Sequence, residues 1–175
     1  MRVVAGELGG RRLASPPRRS RGVRPTSDRA REALFSILGD VGGKRVLDLF
    51  CGTGALAIEA LSRGASSAVA VDADPRLAQR NVAALGLGER CTVIRADALG
   101  YLKRADERFD LILCDPPYGF AARVGPELDR LLPAVLADDG IVVVESAARE
   151  PIELTLPVVR ERGFGDALVR IHGRE

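Results

Sequence analysis

Among 175 residues there are one histidine, three cysteines, two lysines and no tryptophan. Cys51, Cys91 and Cys114 are an odd number at wide spacing, and His172 stands alone. That pattern excludes a disulfide framework and supplies no ligand set for a structural zinc, so no metal is expected. Three free thiols point to a reducing compartment. No apolar run approaches the ~18 residues that span a bilayer. The opening Met1-Arg-Val-Val-Ala-Gly-Glu7 has no long apolar stretch and no cleavage signature, so no signal peptide is expected and the expected location is cytoplasmic. With 46% hydrophobic and 29% charged residues, the composition argues against wholesale disorder, collagen and coiled coil. A chain of this length fits one domain that buries roughly 70% of its unfolded surface.

Charge is distributed unevenly. Residues 1–31 hold nine arginines against Glu7 and Asp28, a formal +7, while the remainder holds 17 basic and 22 acidic groups, a formal −5. The arginines sit among Gly, Pro and Ser, as in Arg18-Arg-Ser-Arg-Gly-Val-Arg24. Such a cluster attracts polyanions through counterion release, and the guanidinium fork matches phosphate. Arg11, Arg12, Arg18, Arg19, Arg21 and Arg24 are therefore candidate nucleic-acid contacts.

Two short candidate strands, Arg2–Ala5 and Arg11–Leu13, flank Gly6 to Gly10 as a small hairpin or loose arm. Prolines 16, 17 and 25 keep the next stretch extended. Thr26-Ser27-Asp28 offers N-caps for a helix with its apolar stripe at Ala30, Ala33, Leu34, Ile37 and Leu38, leaving Arg29, Arg31 and Glu32 off that stripe. From Lys44 strands and helices alternate. The predicted strands are 45–50, 68–71, 92–95, 109–114 and 141–145. The predicted helices are 55–63, 75–85, 98–103 and 122–136, with Pro126 and Pro133 limiting the ends of the last. A closing hairpin (156–162 and 167–172) turns around Gly163-Phe-Gly165, and His172 is expected at the surface. Apolar strands alternating with helices imply a parallel sheet covered on both faces, with ligands outside the carboxyl ends of its strands.

The residues after those strand ends carry the chemistry. Asp48-Leu-Phe50-Cys-Gly52-Thr-Gly54 is a glycine turn. Gly52, Gly54 and Ala57 fit the dinucleotide fingerprint only loosely. Asp48 opposes a pyrophosphate and favours a cation such as an amino-acid ammonium. Asp72-Ala73 ends the second strand, where a ribose-binding acid belongs. Asp74-Pro75 is expected to cap the next helix. Asp97-Ala98 follows the third strand, within reach of an adenine amino group. The fourth strand delivers Asp115-Pro116-Pro117-Tyr118. Asp115 and the Pro116 carbonyl can accept both hydrogens of an exocyclic NH₂, and Tyr118 offers a stacking face. Conjugated amines are poor nucleophiles, and two acceptors aim the lone pair and stabilise positive charge developing on nitrogen. Cys114, inside the apolar run, is expected to be core and not a nucleophile.

Together these features resemble a class I methyltransferase that uses S-adenosylmethionine. Arg24-Pro-Thr-Ser-Asp-Arg-Ala-Arg-Glu-Ala-Leu-Phe-Ser-Ile-Leu38 resembles the leader helix of the RsmD family, as do Met1-Arg-Val-Val-Ala-Gly6, Gly10-Arg-Arg-Leu13 and Phe50-Cys-Gly-Thr-Gly-Ala-Leu-Ala-Ile-Glu59. The resemblance implies an α/β, Rossmann-like class I methyltransferase fold: a mostly parallel sheet, helices on both faces, a C-terminal antiparallel hairpin and a small N-terminal basic β-hairpin arm. The implied division is an arm over 1–25 and a catalytic domain over 26–175. It implies methylation of the N2 amine of a guanine in small-subunit (16S) ribosomal RNA, within an assembled or assembling subunit, by a monomer with no membrane partner. Carried over, Asp48, Phe50, Gly52 and Gly54 line the methionine side, Asp72 holds the ribose and Asp97-Ala98 the adenine. Asp115, Pro116 and Tyr118 hold the guanine, and Thr26 contacts the cofactor. The rivals are the same chemistry on adenine N6 or a protein glutamine, an NAD-type oxidoreductase, and a nonenzymatic RNA-binding module on this fold.

Overall fold

The computed structural model describes residues 1–16, 28–117 and 119–173. Helix α1 (Asp28–Leu38) leads into an alternation of strands and helices: β1 (Arg45–Leu49), α2 (Ala55–Ser62), β2 (Ser67–Asp72), α3 (Arg76–Ala84), β3 (Cys91–Arg95), α4 (Ala98–Leu102), β4 (Phe109–Cys114), α5 (Ala121–Val135) and β5 (Leu136–Ala147). A hairpin of β6 (Val158–Phe164) and β7 (Ala167–Gly173) closes the chain. The seven strands order as β3-β2-β1-β4-β5-β7-β6. The first five are parallel, and β7 pairs antiparallel with both β5 and β6.

Strand periodicity divides the core in two. Val46, Leu111, Leu113 and Val143 face α1, α2 and α3, while Leu47, Leu49, Ile112, Cys114, Val142 and Val144 face α4 and α5. Successive strand residues point to opposite faces, so a sheet buried on both sides has near-continuous apolar strands. The exception on β1 is Asp48, whose parity turns its carboxylate toward α2.

Several local expectations shift. The buried face of α1 is Arg31, Leu34 and Phe35, rotated from the expected stripe, and Arg31 is fully buried. Its Nη2 donates to the carbonyl of Arg2 and to Asp28 Oδ1 (2.8 Å), a pairing that makes burial of the guanidinium tolerable. Pro126 and Pro133 lie inside α5 and not at its ends. The bond Pro126 cannot donate would have gone to exposed Ala122, where solvent substitutes, and the apolar stripe Val124, Leu128, Leu131, Leu132 and Val135 holds the helix to the sheet. The final turn falls at Gly165-Asp166, one residue past the expected position, with Gly165 at φ +61°. His172 is buried, because β7 is an interior strand, and its Nδ1 lies 2.9 Å from the Leu156 carbonyl.

The N-terminal residues form one isolated bridge, Arg2 to Arg12, in place of two strands. Side chains from the helices fasten this segment. Glu59 of α2 is fully buried, and its carboxylate accepts from Val4 N (2.7 Å) and Ala5 N (3.0 Å) while pairing with Arg63. Ser62 Oγ accepts from Leu8 N and donates to the Ala5 carbonyl. Val3 and Leu13 enter the core. Gly6, at φ +81°, passes so close to α2 that an added Cβ would sit 1.8 Å from the Ser62 carbonyl oxygen.

Candidate active site

The strand order reverses between β1 and β4, and that is where the predicted site residues converge. Leu49 pairs with Val71 of β2 on one side and Cys114 of β4 on the other. Asp72 therefore follows beside Phe50 on one flank, and Asp115 on the opposite flank. Asp72 in turn pairs with Arg95, so Asp97 emerges beyond it. At ~4.8 Å per strand, the edge from β3 to β4 extends ~14 Å.

The glycine turn begins with a strained residue. Phe50 has φ +61°, unlike any other non-glycine among the described residues. Gly52 (φ +52°) and Gly54 (φ +73°) continue the left-handed geometry, which carries no Cβ penalty in glycine. They serve different ends. A Cβ at Gly52 would meet nothing within 4 Å, so that face of the turn is open to a ligand. A Cβ at Gly54 would press at 3.1 Å on Ala78 Cβ, so that glycine lets α3 pack against the turn.

Four carboxylates distribute around this edge. Asp48 is 1% exposed, and its Oδ2 accepts from Ala57 N in the first turn of α2 (3.0 Å). Burial pushes its pKa from 3.8 up to about 7; the Ala57 N–H opposes that shift and the charge of Asp72 adds to it. Asp72 is half-buried and accepts from Gly52 N through Oδ2 and from Asp74 N through Oδ1, both at 2.8 Å. It thus braces the turn while standing at its lip, with Ala73 exposed beside it. Asp97 caps α4 by accepting from Gly100 N (2.8 Å), and Ala98 behind it is buried. Asp115 is half-buried just past β4.

Asp74 does not cap α3. Pro75 occupies the cap position without a side-chain bond, and both Asp74 oxygens engage Arg76 (2.7 and 2.6 Å). Hydrogen bonding to that guanidinium pulls its pKa down to about 2. A residue directly before proline favours extended backbone, and the neighbouring Arg76 outcompetes the helix N–H groups.

Pro116 is buried and Pro117 exposed. Beyond them, Phe120 N donates to the Pro117 carbonyl and Gly119 takes φ +84°. Tyr118, Thr26, Arg18, Arg19, Arg21 and Arg24 lie outside the described residues. Arg11 and Arg12 are exposed on the fastened N-terminal segment. Cys114 is buried, and burial with nearby Asp115 and Asp48 pushes its thiol well above the usual range, which removes it as a nucleophile. Two cavities of about 320 and 340 Å³ lie elsewhere, one where β2 and β3 begin and one between α1 and the N-terminal segment. Convergence of strand ends defines the site.

Comparison with known proteins adds the decisive relation. A family model described as "Conserved hypothetical protein 95" matches residues 1–172. The Ribosomal RNA small subunit methyltransferase D of Escherichia coli (strain K12) is 35% identical over 188 aligned residues, covering 100% of this chain and 90% of that protein. The chain belongs to the RsmD family. A solved structure of the putative methyltransferase yhhF from Escherichia coli superposes on this RsmD-family protein with a TM-score of 0.84 at 31% identity, covering 100% of this chain and 98% of that one. The putative rRNA methyltransferase YlbH of Bacillus subtilis (strain 168) is 38% identical over 157 residues, 83% of this chain and 82% of that protein.

Sequence reasoning missed the polar groups that support the site in this RsmD-family chain. Arg31, Glu59, Ser62 and Asn81 are all buried, and each bonds to backbone of the N-terminal segment. Glu59 had a visible signal: one carboxylate inside the apolar run Ala55-Leu-Ala-Ile-Glu-Ala-Leu61. Asn81 had none.

Proposed function

We propose that this protein transfers a methyl group from S-adenosylmethionine to the exocyclic N2 amine of a guanine in small-subunit ribosomal RNA. The observation that carries this reading is the spatial order along one sheet edge: Asp97 after β3, Asp72 after β2, the open glycine turn after β1, and Asp115 after β4. That order follows the parts of the cofactor, with adenine, ribose and methionine in turn, and sets the amine acceptor beside the methionine end. The residues fit such a ligand. Gly52 leaves space, half-buried Asp72 stands at the lip for a diol, and Asp48 in its ionised form lends negative charge to the turn that would hold an ammonium.

When bound, the cofactor supplies an electrophilic methyl on a cationic sulfur. The chain's work is to present the nucleophile. Asp115 and the Pro116 carbonyl accept the two amine hydrogens and fix the nitrogen's lone pair on the methyl side. As the nitrogen gained the methyl and lost one proton, Asp115 and water would take up that proton. Tyr118 stacks on the guanine, which must leave its own stack to arrive there. Arg11, Arg12, Arg18, Arg19, Arg21 and Arg24 grip phosphates around it, and Thr26 contacts the cofactor. Adenine N6 or a glutamine amide would fit the same acceptors; relatives named for small-subunit ribosomal RNA support RNA of that subunit as the substrate.

Mass mapping of small-subunit RNA from cells lacking this protein tests the reading. One guanine is expected to lose its N2-methyl, and the purified chain should restore it on isolated subunits with labelled S-adenosylmethionine. An unchanged modification map would overturn the assignment.

A further inference from the structure

Asn81 on α3 is 2% exposed and uses its whole amide. Its Oδ1 accepts from Ala14 N (2.7 Å), and its Nδ2 donates to the Ala14 carbonyl (3.1 Å) and to the Thr53 carbonyl (2.9 Å). Thr53 lies between Gly52 and Gly54 in the glycine turn. Ala14 lies two residues past Arg12. The orientation of the amide is fixed from both sides, because Ala14 N requires an acceptor and Thr53 O a donor. A second contact joins the same parts: Thr53 Oγ1 approaches Met1 Sδ at 3.7 Å. Outside these contacts, Arg11 and Arg12 are exposed on the same strand of backbone.

We propose that Asn81 is a positioning residue that couples RNA engagement at Arg11 and Arg12 to cofactor binding at the glycine turn. This inference rests on the functional reading above. Its physical basis is shared ordering. Phosphates held by Arg11 and Arg12 restrict Leu13 and Ala14, and Asn81 passes that restriction to Thr53, so less freedom remains to be lost when the cofactor orders the turn. Reciprocity then requires the cofactor to strengthen RNA binding by the same factor. The bridge is short, buried and saturated, so loss of its donors disconnects the two parts without touching either ligand.

The test is equilibrium dialysis of labelled S-adenosylhomocysteine against the full chain, with and without small ribosomal subunits that lack the methyl group. For the wild type, subunits should raise affinity by at least about five-fold, the lower range of ordinary coupling. In Asn81→Ala and the nearly isosteric Asn81→Asp, that ratio should fall toward one. A purely structural Asn81 would lower both affinities and leave their ratio unchanged, which would overturn the proposal. A wild-type ratio near one would also overturn it, with the methyltransferase reading intact. Failure of the wild type to bind S-adenosylhomocysteine at all would instead sink the functional reading beneath it. A measurement on the wild type alone covers variants that fail to fold. Exchange of the Ala14 amide hydrogen should slow several-fold when S-adenosylhomocysteine binds; an unchanged rate counts against the coupling.

Discussion

Protonation of Asp48 should control cofactor affinity near neutral pH. The carboxylate is buried, and burial raises its pKa from 3.8 to about 7, with repulsion from Asp72 adding to the shift. A ligand carrying an ammonium and a sulfonium favours the ionised form, so binding pulls that pKa down and releases a proton wherever Asp48 begins protonated. If the bound value falls by ~2 units, cofactor at pH 6 should bind about ten-fold more weakly than on the plateau above pH 8, because one pKa unit is worth ~1.36 kcal/mol. Calorimetry between pH 5.5 and 7.5, in buffers of differing ionisation enthalpy, reads both affinity and proton release. Expected is a maximum release of about 0.8 proton near pH 6, falling to about half a proton at pH 7 and fading above it. Asp48→Asn should flatten the profile at a uniformly weaker affinity. A flat wild-type profile with no proton release would refute the reasoning. Stability of the free protein should move oppositely. A raised carboxylate pKa stabilises the fold fully below pH 3.8, and that contribution disappears as pH rises through about 7. Asp48→Asn should therefore unfold at higher urea than the wild type at pH 8, by on the order of 4 kcal/mol for a three-unit shift, with the gap closing toward pH 4.

Asp115→Ala should abolish methyl transfer while leaving S-adenosylhomocysteine affinity within about two-fold; turnover at wild-type rate would remove the acceptor role. Asp72→Ala removes the bonds to Gly52 N and Asp74 N as well as a diol acceptor, so cofactor affinity should drop by at least ten-fold, since each bond to a charged group is worth ~1.5–3 kcal/mol. Calorimetry showing equal affinity would exclude it from the ribose site. Replacing Arg11, Arg12, Arg18 and Arg19 with Gln should reduce the log–log salt slope of RNA binding by roughly 3 units. Substitution suits this test better than truncation, because Val3 and Leu13 belong to the core; an unchanged slope would make those arginines bystanders. Gly6→Ala should lower stability by ~2–3 kcal/mol in urea, through overlap with the Ser62 carbonyl and a strained positive φ. An unaltered midpoint would show that the N-terminal segment is not tied to α2 as described.

The amino-acid order alone determined the architecture and which residues follow the ends of its strands. Alternating apolar strands and helices read correctly because each element's burial is written in its own periodicity, and Asp115 falls just past β4 as expected because the apolar run before it is unbroken but for Asp110. Tertiary structure decided the rest. The swing of α1 that buries Arg31, the inward turn of His172 and the clamp of Asn81 on Ala14 and Thr53 join residues up to 67 positions apart, and no local pattern records such partners. Asp48 shows the division within one side chain: its place before the glycine turn is a sequence fact, while its raised pKa comes from the helix and sheet that close over it, since the free energy of a charge depends on what replaces its water.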